Sequence, residues 1–339
     1  MERRNFLRLA GASLAGLAGS GMLTWAPRAE AATISKTYYI TDGTLTMPDG
    51  VAVYFQSFAD AIGTLTIPAT PIVCQEGDTL NITVVNNLSK THNFVILGLK
   101  AGDPPLASTG DIASGATGTI NYTIPTGKAG SYLFVDNKTS YNSYLGLHGG
   151  LAIMPSGSSN TLYSGSPTFS QQYFWVFNDI DPNLNSAVQG NKTIPITFTP
   201  RYFTINGLTS LPPGATGNGD PTKDAMANPS TYLAGTIGTR TLIRMMNAGM
   251  ASHSVHTHGN HMEWLTDRGN VRSAVWKKDI LYLRNAFGKL DAIYPFETPP
   301  DAYPVVTTGH YPMHLHDEMS QTAGGGLYLF GAITEIVFE

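Results

Sequence analysis

The sequence predicts an all-β fold made of two β-sandwich domains, and three observations predict it. Apolar residues alternate at period two, with Leu80, Ile82 and Val84 in one run and Tyr132 and Phe134 in another; that spacing lines one face of a strand, not of a helix. Glycine (36) and proline (21) are abundant while charged residues make up 13% of the chain, which suits short strands joined by many turns. The two halves also repeat one order of features: Glu76-Gly77-Asp78 leads into a strand that ends at Asn86, and Gly238-Thr239-Arg240 leads into one that ends at Asn247. At 339 residues the chain can bury two cores of ordinary size.

Residues 1–31 read as an export leader of the twin-arginine kind. Arg3-Arg4-Asn5-Phe6-Leu7 opens it, a weakly apolar Ala/Gly/Leu run follows, and Ala29-Glu30-Ala31 offers a small-residue cleavage site. That run is too Gly-rich and too short to make a comfortable membrane span. The first domain is expected over 32–157 and the second over 158–339. The stretch Pro155-Ser156-Gly157-Ser158-Ser159-Asn160 separates the strand Leu151-Ala152-Ile153-Met154 from the one beginning near Tyr173-Phe174-Trp175-Val176. Residues 209–236, rich in Pro, Gly, Asn and Asp, read as one long loop, and the glycine runs at 149–150 and 324–326 read as turns.

Composition excludes several function classes. The formal charge of −4 gives no basic field for nucleic acid, and loss of residues 1–31 removes four Arg and two Glu, leaving 16 basic against 22 acidic residues. The single cysteine, Cys74, rules out an intrachain disulfide and sits in an apolar stretch, where it reads as a buried small hydrophobe. No Gly-x-Ser-x-Gly elbow or phosphate-binding loop is present.

The histidines carry the chemistry. Of nine, seven lie between residues 253 and 316, in His253-Ser254-Val255-His256-Thr257-His258-Gly259-Asn260-His261 and His310-Tyr311-Pro312-Met313-His314-Leu315-His316. On a strand, His-x-His turns both rings to one face, so two such strands side by side would aim His256, His258, His314 and His316 at one point. Imidazole sets of this kind suit copper, with zinc as the alternative. His253, His261 and His310 are possible additional ligands, and Asp317 and Glu318 are candidate partners to orient the rings.

Several segments resemble the multicopper oxidase family. Phe203-Thr204-Ile205-Asn206-Gly207, Arg244-x-x-Asn247 and His253-x-x-His256-x-His258-Gly259 are similar to one motif block, and Met313-His314-Leu315-His316 through Gly324-Gly325-Gly326-Leu327 to the closing block. Gly130-Ser131-Tyr132-Leu133-Phe134 and Gly146-Leu147-His148-Gly149 resemble first-domain motifs. The resemblance implies two cupredoxin-like Greek-key sandwiches and copper as cofactor. It also implies a degenerate ligand set: His253 matches one type 1 histidine, but Leu315 stands at the type 1 cysteine and Ser320 at the second type 1 histidine. Val95, Leu97, Val135 and Asn137 stand at first-domain cluster positions, while His92 and His148 read as surface or interface histidines.

The functional expectation is an exported, periplasmic or extracellular copper protein, an oxidoreductase that meets a small reductant or an oxygen species without type 1 copper. A copper storage or delivery role is the alternative, prompted by Met245, Met246, Met250, Met262, Met313 and Met319 near the histidines; a metal-free scaffold is another. Two-domain relatives assemble as trimers with copper at the subunit joint, which implies a homotrimer here, with Asp136 or His148 of a neighbour approaching the metal.

Overall fold

A computed structural model describes residues 21–26, 28–157, 160–210, 225–226, 228–285, 287–299, 307–317 and 331–339. The first half supplies β1 (Thr33–Thr46), β2 (Ala52–Ala59), β3 (Ala69–Gln75), β4 (Thr79–Asn86), β5 (Val95–Ile96), β6 (Ala107–Ser108), β7 (Thr117–Thr123), β8 (Gly130–Val135) and β9 (His148–Met154). The second half supplies β10 (Gln171–Ile180), α1 (Pro182–Gln189), β11 (Tyr202–Ile205), β12 (Leu233–Gly235), β13 (Thr241–Asn247), β14 (His253–Thr257) and β15 (Met262–Asp267). It continues with β16 (Asn270–Lys278), β17 (Ile280–Leu283), β18 (Lys289–Tyr294), β19 (Gly309–Leu315) and β20 (Thr334–Phe338).

The strands form four sheets, two per half, and the halves share one topology. The orders β2-β1-β4-β7 and β3-β9-β8-β5-β6 in the first half correspond to β11-β10-β13-β18 and β12-β20-β19-β14-β17 in the second, where the hairpin β15-β16 is added beside β18. In both halves one long parallel pair anchors the first sheet, β1 with β4 and β10 with β13. The terminal asparagines do equivalent work: Asn86 Nδ2 donates to the carbonyls of Lys90 and Ile112, and Asn247 Nδ2 to those of Ala251 and Arg284. Each ties the loop that follows its strand to the sandwich through main-chain carbonyls.

Burial patterns tell which sheets have one wet face. β4 and β14 alternate in exposure, whereas β8, β9 and β13 are buried at every position. Two-sided burial demands a second layer on the outer face, and that layer is the other domain. Leu133, Val135 and Ala152 pack against Phe174, Val176, Met246 and Ala248 in one cluster. The side chains larger than alanine each contribute roughly 1.5–3 kcal/mol when fully removed from water.

A polar network crosses the same boundary. The guanidinium of Arg244, fully buried, donates to Ser131 Oγ at 2.9 Å and to Gln172 Oε1, while Asp291 accepts from Ser131 and from Thr266 Oγ1. Lys289 Nζ reaches across to the carbonyls of Gly98 and Leu99 at 2.6 and 2.7 Å. Burial lowers Arg244 to about 10 and Lys289 to about 8.

Two expectations are corrected. Gly149 and Gly150 lie inside β9 and make no turn: a Cβ at Gly149 would run into the Phe134 ring, and one at Gly150 would press on Phe174 of the other domain. The 209–236 stretch is not all loop, because Leu233–Gly235 pairs in parallel with β20 and Trp175 Nε1 donates to Thr231 O at 2.7 Å; residues 211–224, and the glycines at 324–326, lie outside the described residues. Cys74 is buried in the first core, its sulfur 3.6 Å from Ala152 O, and burial pushes its thiol up.

Candidate metal centre

Strands β14 and β19 are antiparallel neighbours, with Val255 opposite Leu315 and His256 opposite His314. The backbone ladder continues past the strand ends, since His258 N donates to Pro312 O at 3.1 Å and His316 N to Ser254 O at 2.9 Å. Because side chains alternate, Val255, Met313 and Leu315 turn into the sandwich core and His256, His258, His314 and His316 share the opposite face.

On that face His256 and His314 are the central pair, with ring centroids 5.1 Å apart. His258 lies 4.6 Å from His256 and 5.4 Å from His314, while His316 flanks the other side at 4.4 and 5.0 Å. Nitrogens of His256, His258 and His314 all fall within 4.8 Å of one another. The Nε2 atoms of His258 and His314 face each other at 3.3 Å. His316 therefore stands beside a tight triple and completes a rhombus of rings. His314 is buried, His256 half-buried, and His258 and His316 are exposed.

Ring orientation follows from the atoms behind the rings. His256 Nδ1 lies 3.2 Å from the Asp279 carbonyl, which accepts its proton and leaves the Nε2 lone pair turned to the cluster; the Asp279 carboxylate adds an oxygen at 3.7 Å. His314 Nδ1 lies 3.2 Å from Leu315 O, which sets the same tautomer. Burial first, then the neighbouring rings, lowers His256 and His258, and burial drives His314 to about 4. At neutral pH these three rings are uncharged, the state in which imidazole ligates metals.

The arrangement fits an imidazole-bound ion. With metal–nitrogen bonds of about 2.0–2.1 Å, two ligands of one ion stand roughly 3.3 Å apart, the spacing of the facing Nε2 pair. Asp279 was not among the sequence candidates. Its only local signal is its place one residue before β17, whose Ile280 pairs with His256.

Other candidates fall elsewhere. His253 faces the core on the reverse side of β14, its Nε2 3.2 Å from the buried Asp179 carboxylate. His261 is exposed and lies outside the triple, and His310, also exposed, pairs with Glu335 at 3.0 Å. Asp317 accepts from Ser254 and so orders β14; Glu318 and Ser320 lie outside the described residues.

His92 and His148 are not surface groups: both are buried in the first domain, His92 against Asp136 and His148 with Nδ1 2.7 Å from Ser143 O. Asp136, itself fully buried and also held by Lys138 N, is not presented to a neighbouring subunit, and neither is His148. In the first domain Val95 opposes Val135 between β5 and β8, the counterparts of β14 and β19. There Leu97 and Val135 pack on the second domain, while Asn137 bonds Asn93 at 2.8 Å.

Residues 63–158 match the family profile described as multicopper oxidase. No curated protein sequence matches the chain. Among solved structures, a blue copper oxidase from Nitrosomonas europaea superposes with a TM-score of 0.66 at 19% identity, over 90% of this chain and 85% of that one. The multicopper oxidase mgLAC gives 0.66 at 18% over 90% and 86%, and a copper nitrite reductase from Nitrosomonas europaea gives 0.62 at 16% over 91% and 94%. The paired sandwiches and these superpositions give the chain the cupredoxin fold, with residues 63–158 carrying the likeness to multicopper oxidases.

Proposed function

We propose that this is an exported copper protein that acts as an oxidoreductase at an imidazole-held site of the type 2 or type 3 kind, with no type 1 copper. The observation that carries the reading is the convergence of His256, His258 and His314 nitrogens within 4.8 Å, with His316 alongside. Copper held there would exchange single electrons with a small reductant or an oxygen species. The chain's own part is to keep the rings neutral, to fix the tautomers of His256 and His314 through the carbonyls of Asp279 and Leu315, and to leave His258 and His316 open to a small molecule.

A blue thiolate site is ruled out by the residues, because the sole cysteine is buried in the first domain and Leu315 fills the core behind the histidines. Copper storage through methionine finds little support: Met245, Met246, Met262 and Met313 are buried in apolar packing, Met250 is 49% exposed, and Met319 lies outside the described residues.

Assembly as a homotrimer belongs to the same proposal. The first-domain face equivalent to the histidine face is covered by the second domain, whereas exposed His258 and His316 leave the histidine face for a neighbouring subunit to cover. Export through the twin-arginine leader to the periplasm or beyond is also proposed, on Arg3-Arg4 and Ala29-Glu30-Ala31. No helix among the described residues is long and apolar enough to cross a membrane.

The test is elemental analysis and electron paramagnetic resonance on protein exported by its own route. Stoichiometric copper with nitrogen coupling, lost in His256→Ala, supports the reading. Stoichiometric zinc alone, or no metal, overturns it, the latter in favour of a scaffold. Copper(I) that survives histidine replacement favours storage. Light scattering reads the trimer, and a monomer counts against the shared face.

A further inference from the structure

The end of the segment read as a leader is built into the folded body. Strand β11 pairs only with Phe177–Ile180 of β10, leaving the earlier part of that edge to another partner. Residues 21–23 take it: Leu23 N donates to Gln172 O at 2.8 Å, Phe174 N donates to Gly21 O at 3.0 Å, and Met22 bridges Tyr173 in antiparallel sense. Leu23, 7% exposed, enters the apolar cluster between the domains. Trp25 packs on a neighbouring cluster that includes Met154 and Leu265.

The segment then crosses to the first domain. The Arg28 guanidinium pairs with the fully buried Asp78 carboxylate and stacks 5.1 Å from the Trp25 ring. Gln75 Nε2 donates to the Arg28 and Glu30 carbonyls at 3.3 and 3.4 Å. Gly21 approaches so closely that a Cβ there would collide with Ser230 O. Strand pairing, an apolar anchor, and a charge pair to a buried carboxylate along one short segment are the marks of a fitted ligand rather than of a passing tail.

We propose that the groove along the domain boundary is a docking site for residues 21–26 and Arg28 of this chain, occupied while the leader is attached and vacated when cleavage follows Ala31. The release step rests on the reading of residues 1–31 as a removable leader; the docking does not. Because Leu23 joins an apolar cluster drawn from both domains and Arg28 answers a first-domain carboxylate, the groove forms only after the domains have closed on each other. The attached leader is thereby held by a folded body, and its removal exposes an apolar channel and takes the Arg28 cation from Asp78, which keeps the amides of Gln75 and Ala32.

The experiment uses the full chain with a protease recognition sequence inserted after Ala31, folded and then cut, with the released peptide washed out. Amide exchange at Phe174 is expected to rise roughly tenfold or more while exchange in β14 and β19 is unchanged. A synthetic peptide of residues 21–31 restores protection, and its Leu23→Asp version does not. Unchanged exchange after cutting, or a peptide that fails to restore protection, overturns the docking.

Should the cut protein unfold by circular dichroism, the uncut Leu23→Asp chain reads the same amide, where faster exchange supports the dock and unchanged exchange overturns it. The mass of the exported protein reads the release separately. A chain beginning at Ala32 supports it, and one that keeps residues 21–31 overturns it while the exchange data still decide the docking.

Discussion

His256 and His314 stand directly opposite each other on neighbouring strands, with rings nearly perpendicular at 86°. The pair sits at a register position fixed by Val255 and Leu315 on the core side of the same strands. A slip of one residue would bury the rings and expose the valine and leucine, so the core dictates the ligand geometry.

Replacing His314 by Ala removes the central, buried ring of the triple. Copper content, measured by elemental analysis, is expected to drop to background. His258→Ala, which removes a direct ligand, is expected to weaken copper binding by more than the roughly 10–100-fold that loss of a hydrogen-bonding partner behind a ligand costs, with folding stability changed by no more than about 0.5 kcal/mol.

Leu315→Ala tests the reverse face. The leucine is buried among Val255, Met313 and their neighbours, and its truncation is expected to cost about 2–5 kcal/mol in urea unfolding. In the native protein loaded with copper, the visible spectrum is expected to lack the intense thiolate-to-copper band.

Acid should weaken the first domain through His148. Burial lowers this ring from 6.5 to about 4, so below pH 6.5 the unfolded chain binds a proton that the native state refuses. Stability contributed by the neutral ring is full above about pH 7 and declines as pH falls towards 4, by about 2 kcal/mol at pH 5. Unfolding curves at pH 7.5 and 5 measure it, and His148→Gln is expected to flatten the difference.

Copper retention should extend below the ordinary imidazole range. His256, His258 and His314 are all lowered, His314 to about 4, so just below pH 6.5 protons compete less than they would for free imidazoles. Release followed by an indicator dye is expected to have its midpoint below pH 6.5.

The domain boundary depends on Arg244. Arg244→Ala would take the guanidinium away from buried Ser131 and Gln172, and a buried acceptor left unmet costs roughly 1–3 kcal/mol. Arg244→Lys is expected to rescue little, because one ammonium cannot bridge Ser131 and Gln172 as the guanidinium does.

Much of this was readable before any coordinates, for a physical reason. Period-two alternation writes strand faces directly into sequence, so the all-β class and the shared face of each His-x-His pair follow from spacing alone. Long-range partners leave no such trace. Asp279 serves His256 from 23 residues away through its backbone carbonyl, an atom every residue carries. Likewise, Leu133 and Val135 look like ordinary strand residues until the second domain is seen to cover them, and Leu233–Gly235 becomes a strand only because β20 lies beside it.

The position of Cys74 has a chemical consequence. Sealed in the first domain and kept protonated by its apolar surroundings, it is the chain's one thiol and lies in a different sandwich from the imidazoles. With that thiol out of reach, two copies of this chain have no exposed sulfhydryl through which to form a disulfide to each other.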